Sequence, residues 1–271
     1  MSMRRRALLA LAATASLLAL VPAAHAMGGP DCAPEDLVPV DAWIAAHPWR
    51  VGPVNPNGLV ASACRQSSGE KRLTIVVAGY DLAIKDQKSV VVALVDFDAG
   101  VVRAAYKGTI AEDPWLQVAQ GALRIDTAPY DLAPGVRAFG VEFASTSPGT
   151  PCIDSGVGPV RTLFVRDGAL LRPVLGRFDA SSWRFTKGNP ACEPENAKGS
   201  VIETTTSTIA IAPHATHGFA DLVVAESIEG RVPGRKVRGR RYELHYDGTV
   251  YRRGGDAIDD SVFEPEVPGR K

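Results

Sequence analysis

The chain has no excess of charge of either sign: 30 Lys and Arg stand against 30 Asp and Glu. Without a strongly basic balance there is no global attraction toward nucleic acid. Compact metal motifs are also missing, because the four cysteines are at least 32 residues apart and no C-x-x-C or H-E-x-x-H occurs. Zinc sites are usually built from closely spaced ligand pairs. There is no G-x-S-x-G, so the strained turn that presents a serine in one large hydrolase class is absent. No glycine-rich loop ends in G-K-[ST], so no phosphate cradle is encoded locally. Beyond residue 26 no apolar run approaches the ~20 residues needed to span a bilayer.

The one sustained apolar run comes first. "MSMRRR" supplies a basic start, "ALLALAATASLLALV" an apolar centre, and "AHA" a small-x-small site. This is the grammar of a secretory leader, residues 1–26, cleaved after Ala26. An uncleaved membrane anchor is the rival reading. Cys32 lies six residues past Ala26 behind "GGPD", the wrong place for lipid attachment. Removing the leader's three arginines from 30 leaves 27 Lys and Arg against 30 acids, a net charge of −3 over residues 27–271. These 245 residues suffice for one large β domain or two small ones. A periplasmic or secreted location follows.

An even set of cysteines in an exported chain predicts two disulfides among Cys32, Cys64, Cys152 and Cys192. Three pairings satisfy the count. The sequential one, Cys32–Cys64 with Cys152–Cys192, closes the shortest loops, and each bridge would add about 3–4 kcal/mol on chain-entropy grounds. Bridged sulfurs are not available as thiolate nucleophiles.

The remaining pattern is that of strands. Stretches 59–63, 72–82, 89–97, 101–106, 122–126, 136–144, 201–212 and 219–227 are rich in β-branched and aromatic residues. Asp98-Ala99-Gly100, Asp167-Gly168 and Asp247-Gly248 each lie between apolar runs, a strong hairpin signal. "PYDLAPG" marks a further turn, and "WLQVAQ" (115–120) reads as strand. Asp41 is placed to cap one short helix, "AWIAAH", which Pro48 ends. The expected fold is therefore mainly β, with antiparallel hairpins packed as a sandwich-like or propeller-like body and one short N-terminal helix. Residues 27–56 form an N-terminal Pro/Gly-rich segment, 57–255 the β-rich domain, and 256–271 a flexible tail.

Candidates for chemistry are few. "TPCIDSGVGPV" contains an Asp-Ser-Gly that resembles the nucleophile loop of trypsin-like proteases, and His47, Asp96 and Ser155 fall in that family's chain order. The resemblance breaks at Val157, where the family's turn has a second glycine, and only 20 residues separate the cleavage point from His47. Ser155 reads better as a turn residue, and no catalytic residue is assigned. His214 and His217 in "PHATHG" are the candidate metal pair, against a plain loop reading set by Pro213 and Gly218. "DFDAG" (96–100) starts like a calcium loop but puts Gly100 and Lys107 where ligands belong.

Arg235, Lys236, Arg238, Arg240 and Arg241, alternating with tyrosines 242, 246 and 251, are the candidate contact surface for an anionic protein or envelope component. No cofactor, nucleic-acid partner or membrane span of the processed chain is indicated, and oligomeric state is left open. The expected function is non-enzymatic binding in the cell envelope, of inhibitor, immunity or accessory type. The alternative is a hydrolase using distant carboxylates, which leave no local motif. Mass spectrometry of the purified protein should find no alkylatable thiol without prior reduction; four reactive sulfhydryls would remove the basis of this reading.

Overall fold

The computed structural model describes residues 31–49, 54–147, 149, 152–190, 192, 199–232, 234–253, 256–257 and 262–265. The leader expected at 1–26 lies outside them. One helix, α1 (Pro34–Ala46), is followed by β1 (Val54–Gln66), β2 (Thr74–Leu82), β3 (Gln87–Asp96) and β4 (Val101–Ala111). Next come β5 (Leu123–Ala133), β6 (Val136–Phe143), β7 (Ser155–Val157), β8 (Val160–Asp167), β9 (Leu170–Asp179) and β10 (Ser181–Lys187). The long strands β11 (Val201–Thr216), β12 (Phe219–Val232) and β13 (Arg235–Tyr246) precede the short β14 (Tyr251–Arg253), β15 (Asp256–Ala257) and β16 (Glu264–Pro265).

Among the described residues these strands form two sheets. The first runs β1-β2-β3-β4-β9-β8-β6-β5, with β16 added beside β4. It curls so far that its ends approach one another, and Arg65 Nη1 of β1 donates to the Ile125 carbonyl of β5 at 3.2 Å. Alternate residues therefore face a closed interior: Ile75, Val77, Val92, Leu94, Phe139 and Phe164 all belong to one buried cluster. Their neighbours face outward, yet they too are buried where another layer covers the curl. Over β2–β4 that layer is α1, whose Leu37 and Val40 pack on Val76, Ala78, Val91 and Ala93. Burial on both faces explains why "SVVVALV" reads as an unbroken apolar run rather than an alternating one.

Over β5, β6, β8 and β9 the covering layer is the second sheet, ordered β15-β14-β13-β12-β11-β10-β7. Leu222, Val224 and Leu244 from its inner face pack on Leu132, Leu163, Val165 and Leu175. The bridges are Cys32–Cys64 and Cys152–Cys192, the sequential pairing. The first fixes the entry to α1 on β1; the second ties the approach to β7 to the turn after β10. Two disulfides in a β-rich body fit a secreted or covalently stabilised protein.

The three Asp-Gly-type turns fall where expected, with Gly100 and Gly168 in left-handed conformation at φ 65° and 62°. Four local expectations need correction. The helix begins at Pro34, so Asp41 lies inside it and accepts a hydrogen bond from Tyr80 instead of capping. "WLQVAQ" is not strand: Asp113 Oδ1 takes the amides of Trp115 and Leu116 and holds a turn. "PYDLA" continues β5, and only Pro134-Gly135 turns. Residues 262–265, assigned to a flexible tail, complete the first sheet.

That completion has a clear cause. β4 pairs with β9 only at Ala105, leaving its edge open farther on, and Glu264 and Pro265 fill the gap opposite Thr109 and Gly108. Phe263 then enters the interior beside Phe164, and its carbonyl accepts the Tyr106 hydroxyl at 2.8 Å. Gly108 is required there, since a Cβ would lie 2.6 Å from the Glu264 carbonyl oxygen. Phe263→Ala should cost about 3–5 kcal/mol in urea unfolding, and Gly108→Ala should be destabilising in the same assay; a Phe263 variant as stable as the parent would contradict the docking.

Candidate functional site

Where the second sheet splays away from the curl, a cleft of about 1200 Å³ opens beside the seam between β1 and β5. One wall carries Arg65 and Gln66 of β1 with Arg124, Asp126, Tyr130, Glu142 and Arg161. The other is a stripe of hydroxyl side chains, Ser181, Thr206, Ser207 and Thr208. The charged wall follows from strand parity. In β5 and β6, Leu123, Ile125, Val141 and Phe143 fill the interior, which sends Arg124, Asp126 and Glu142 outward.

Arg161 organises this wall. Its guanidinium donates to Glu142 Oε1 at 2.5 and 3.0 Å, sits 3.1 Å from Asp126 Oδ2, and donates to the Tyr130 hydroxyl at 2.8 Å. Tyr130 in turn donates to Asp126 at 2.7 Å. Burial works against the Arg161 charge, but Tyr130, Asp126 and Glu142 outweigh it and hold the guanidinium proton more firmly than usual. Burial pushes the Tyr130 phenol well above its ordinary range; Arg161 opposes that shift, while the bond to Asp126 adds to it. Both carboxylates are thus bound to one permanent cation. Arg124 differs: its Nε is buried without a hydrogen-bond partner.

The residues singled out in the sequence are scattered. His47 stacks on Trp43 and faces its carbonyl, Asp96 is bound by Arg103 and the Ala99 amide, and Ser155 lies in β7 opposite Arg184. Each has its own partners, and they form no relay. Ser155 is a strand residue, not a turn residue. Asp96 is likewise occupied by the hairpin that "DFDAG" makes. A Ser-x-x-Lys spacing, Ser68 to Lys71, falls on an exposed turn after β1 and not along a helix.

His214 and His217 have separate surroundings. His217-Gly218 is the two-residue turn joining β11 and β12, with φ 49° and 89°, as a type I′ turn demands. The His217 ring meets the Tyr246 carbonyl at 2.9 Å. His214 faces Glu243 and Asp221 instead, at 3.3 and 3.4 Å. Among the described residues no three His, Cys, Asp or Glu side chains stand ready to hold a metal ion.

The basic stretch is neutralised in part across strands. Arg240 pairs with Glu226 and Lys236 with Glu229. Arg238 and Arg241 are exposed; the side chain of Arg235 lies outside the described residues. The interleaved tyrosines are not surface residues: Tyr246 and Tyr251 are buried against the first sheet, and Arg253 lies over the partly buried Tyr242 ring. Arg241 is opposite in parity to Tyr242 and Tyr246, and a register shift between the Ala225–Arg241 and Ser227–Arg238 pairs puts Arg238 on the face opposite them.

No protein-family model matches this chain, and no curated protein or solved structure does either. No helix among the described residues is long and apolar enough to cross a membrane. Arg161→Met should strand two carboxylates in a half-buried wall and cost about 3–5 kcal/mol in chemical denaturation. Arg161→Met combined with Glu142→Gln should recover part of that loss, and equal losses for the single and double variants would show that the cluster is not coupled.

Proposed function

We propose that the protein is a non-enzymatic binding protein of the bacterial envelope, exported by its first 26 residues, and that the seam cleft is its ligand site. The ligand class that fits is an acidic, hydroxyl-rich chain such as an anionic polysaccharide of the envelope. The observation carrying this reading is the division of labour in the cleft: Arg161 occupies both acids, while Arg65 and Arg124 add positive charge beside the hydroxyl stripe. Hydroxyl and guanidinium groups suit sugars and carboxylates, which offer acceptors in pairs. The hydrolase alternative needs two carboxylates facing a substrate, and in this cleft Asp126 and Glu142 both face Arg161.

The pairing of Arg240 and Lys236 with acids moves the anion-binding role from the β13 surface to this cleft. The cleft also carries apolar surface from Ile125, Ala128, Pro159 and Ile209, on which the carbon face of a sugar ring can rest. Calorimetric titration with an acidic oligosaccharide and its neutral counterpart tests the reading. The acidic ligand should bind, weaken as salt rises, and lose at least tenfold in affinity in Arg124→Glu. Equal binding of both ligands, or release of shortened product, would refute it.

A further inference from the structure

Asp221 is an anomaly on the outer face of the second sheet. It sits directly opposite His245 in the register that pairs Leu222 with Leu244, and its cross-strand neighbours His214, Glu243 and His245 are exposed. Yet its side chain is only 1% exposed, roofed by His214, His245 and Thr216. One oxygen, Oδ2, carries all three contacts: Thr216 Oγ1 at 2.9 Å, His245 Nδ1 at 2.8 Å and His214 Nε2 at 3.4 Å. The other, Oδ1, is buried and has no hydrogen-bond partner. Burial opposes its ionisation, but the bonds from His245 and Thr216 prevail, and the carboxyl is held below its ordinary range. A buried carboxylate normally has a fixed cation against it. Here the roof is two imidazoles, with the carboxylate of Glu243 3.3 Å beyond His214.

We infer that His214, Asp221, Glu243 and His245 form a surface site for a zinc-class divalent ion, held between the ends of β11, β12 and β13. The donor set of two imidazoles and two carboxylates is one that zinc accepts. Bonds of about 2.0–2.1 Å in a tetrahedron put neighbouring donors roughly 3.3–3.4 Å apart. His214 Nε2 already stands at 3.3 Å from Glu243 and 3.4 Å from Asp221. The His245 contact of 2.8 Å is a hydrogen bond and must lengthen by about half an ångström to admit an ion. Among the described residues no three donors encircle a point as they stand, so the site closes only as these side chains turn. The adjustment is a small one, since the His214, His245 and Glu243 side chains are 53, 50 and 41% exposed and can turn toward a common centre. Asp221, fixed by Thr216, is the anchor, and its unpartnered Oδ1 is a further donor.

The site lies on the outer face of the second sheet, so it is independent of the cleft. Its test uses the full processed protein, dialysed against chelator and then titrated with Zn²⁺, and with Co²⁺ as an absorbing substitute. The expected result is one equivalent bound at micromolar or lower concentration, with the visible bands of four-coordinate cobalt. His214→Ala and His245→Ala should each weaken binding at least tenfold, whereas His217→Ala should leave it unchanged. Zinc should also protect His214 and His245, located by peptide mass, from diethylpyrocarbonate, a readout that needs no variant to fold. No binding, preference for Ca²⁺ over Zn²⁺, binding indifferent to His214 and His245, or loss on changing His217 alone would each overturn the assignment.

Discussion

A sheet that curls on itself must satisfy two faces and two edges at once, and that constraint shapes this molecule. The inner face is satisfied by its own side chains, from Ile75 to Phe164. The outer face is satisfied in two halves, by α1 over β2–β4 and by the second sheet over β5, β6, β8 and β9. The edges are the harder demand, because unpaired strands present bare amides and carbonyls. β4 is finished by β16, whereas β1 and β5 meet across an arginine bridge in place of a ladder. The cleft exists because that seam is neither zipped nor fully covered.

Charge in the cleft follows the same economy. Residues whose neighbours fill the interior must point outward, and near the seam no apolar layer lies over them. Arg124, Asp126, Glu142 and Arg161 occupy those positions, and Arg161, donating twice to Glu142 Oε1 and contacting Asp126, ties the last three into one wall. Rigidity suits recognition, since a preformed surface spends less free energy on ordering when a ligand arrives.

Much of the architecture was legible in the sequence because its determinants are local. Asp-Gly pairs between apolar runs specify hairpins, and the bridges follow from an even cysteine count and the shortest loops. What was not legible depends on distant partners. Asp126, Glu142 and Arg161 lie up to 35 positions apart and meet only through the pairing of β5, β6 and β8. Asp221 and His245 meet through the register of β12 and β13. Phe263 looked like tail because its slot is made by Tyr106, 157 residues earlier. A period of two puts Lys236, Arg238 and Arg240 on the same face as Tyr242 and Tyr246; the register shift between Ala225 and Ser227 that parts Arg238 from the tyrosines is not visible in the sequence.

The late closure of β4 has a consequence for biogenesis. A chain made or delivered from its N-terminal side presents the Tyr106 slot long before Phe263 arrives to fill it, with an exposed strand margin alongside. Throughout that interval the unfinished margin is a template for any passing extended segment, including the same strand of another nascent copy. Contacts of such wide separation also form slowly, since a long loop must close first. Residues 262–265 thus act as a latch, and yield of native protein during synthesis should hinge on how quickly it finds its keeper.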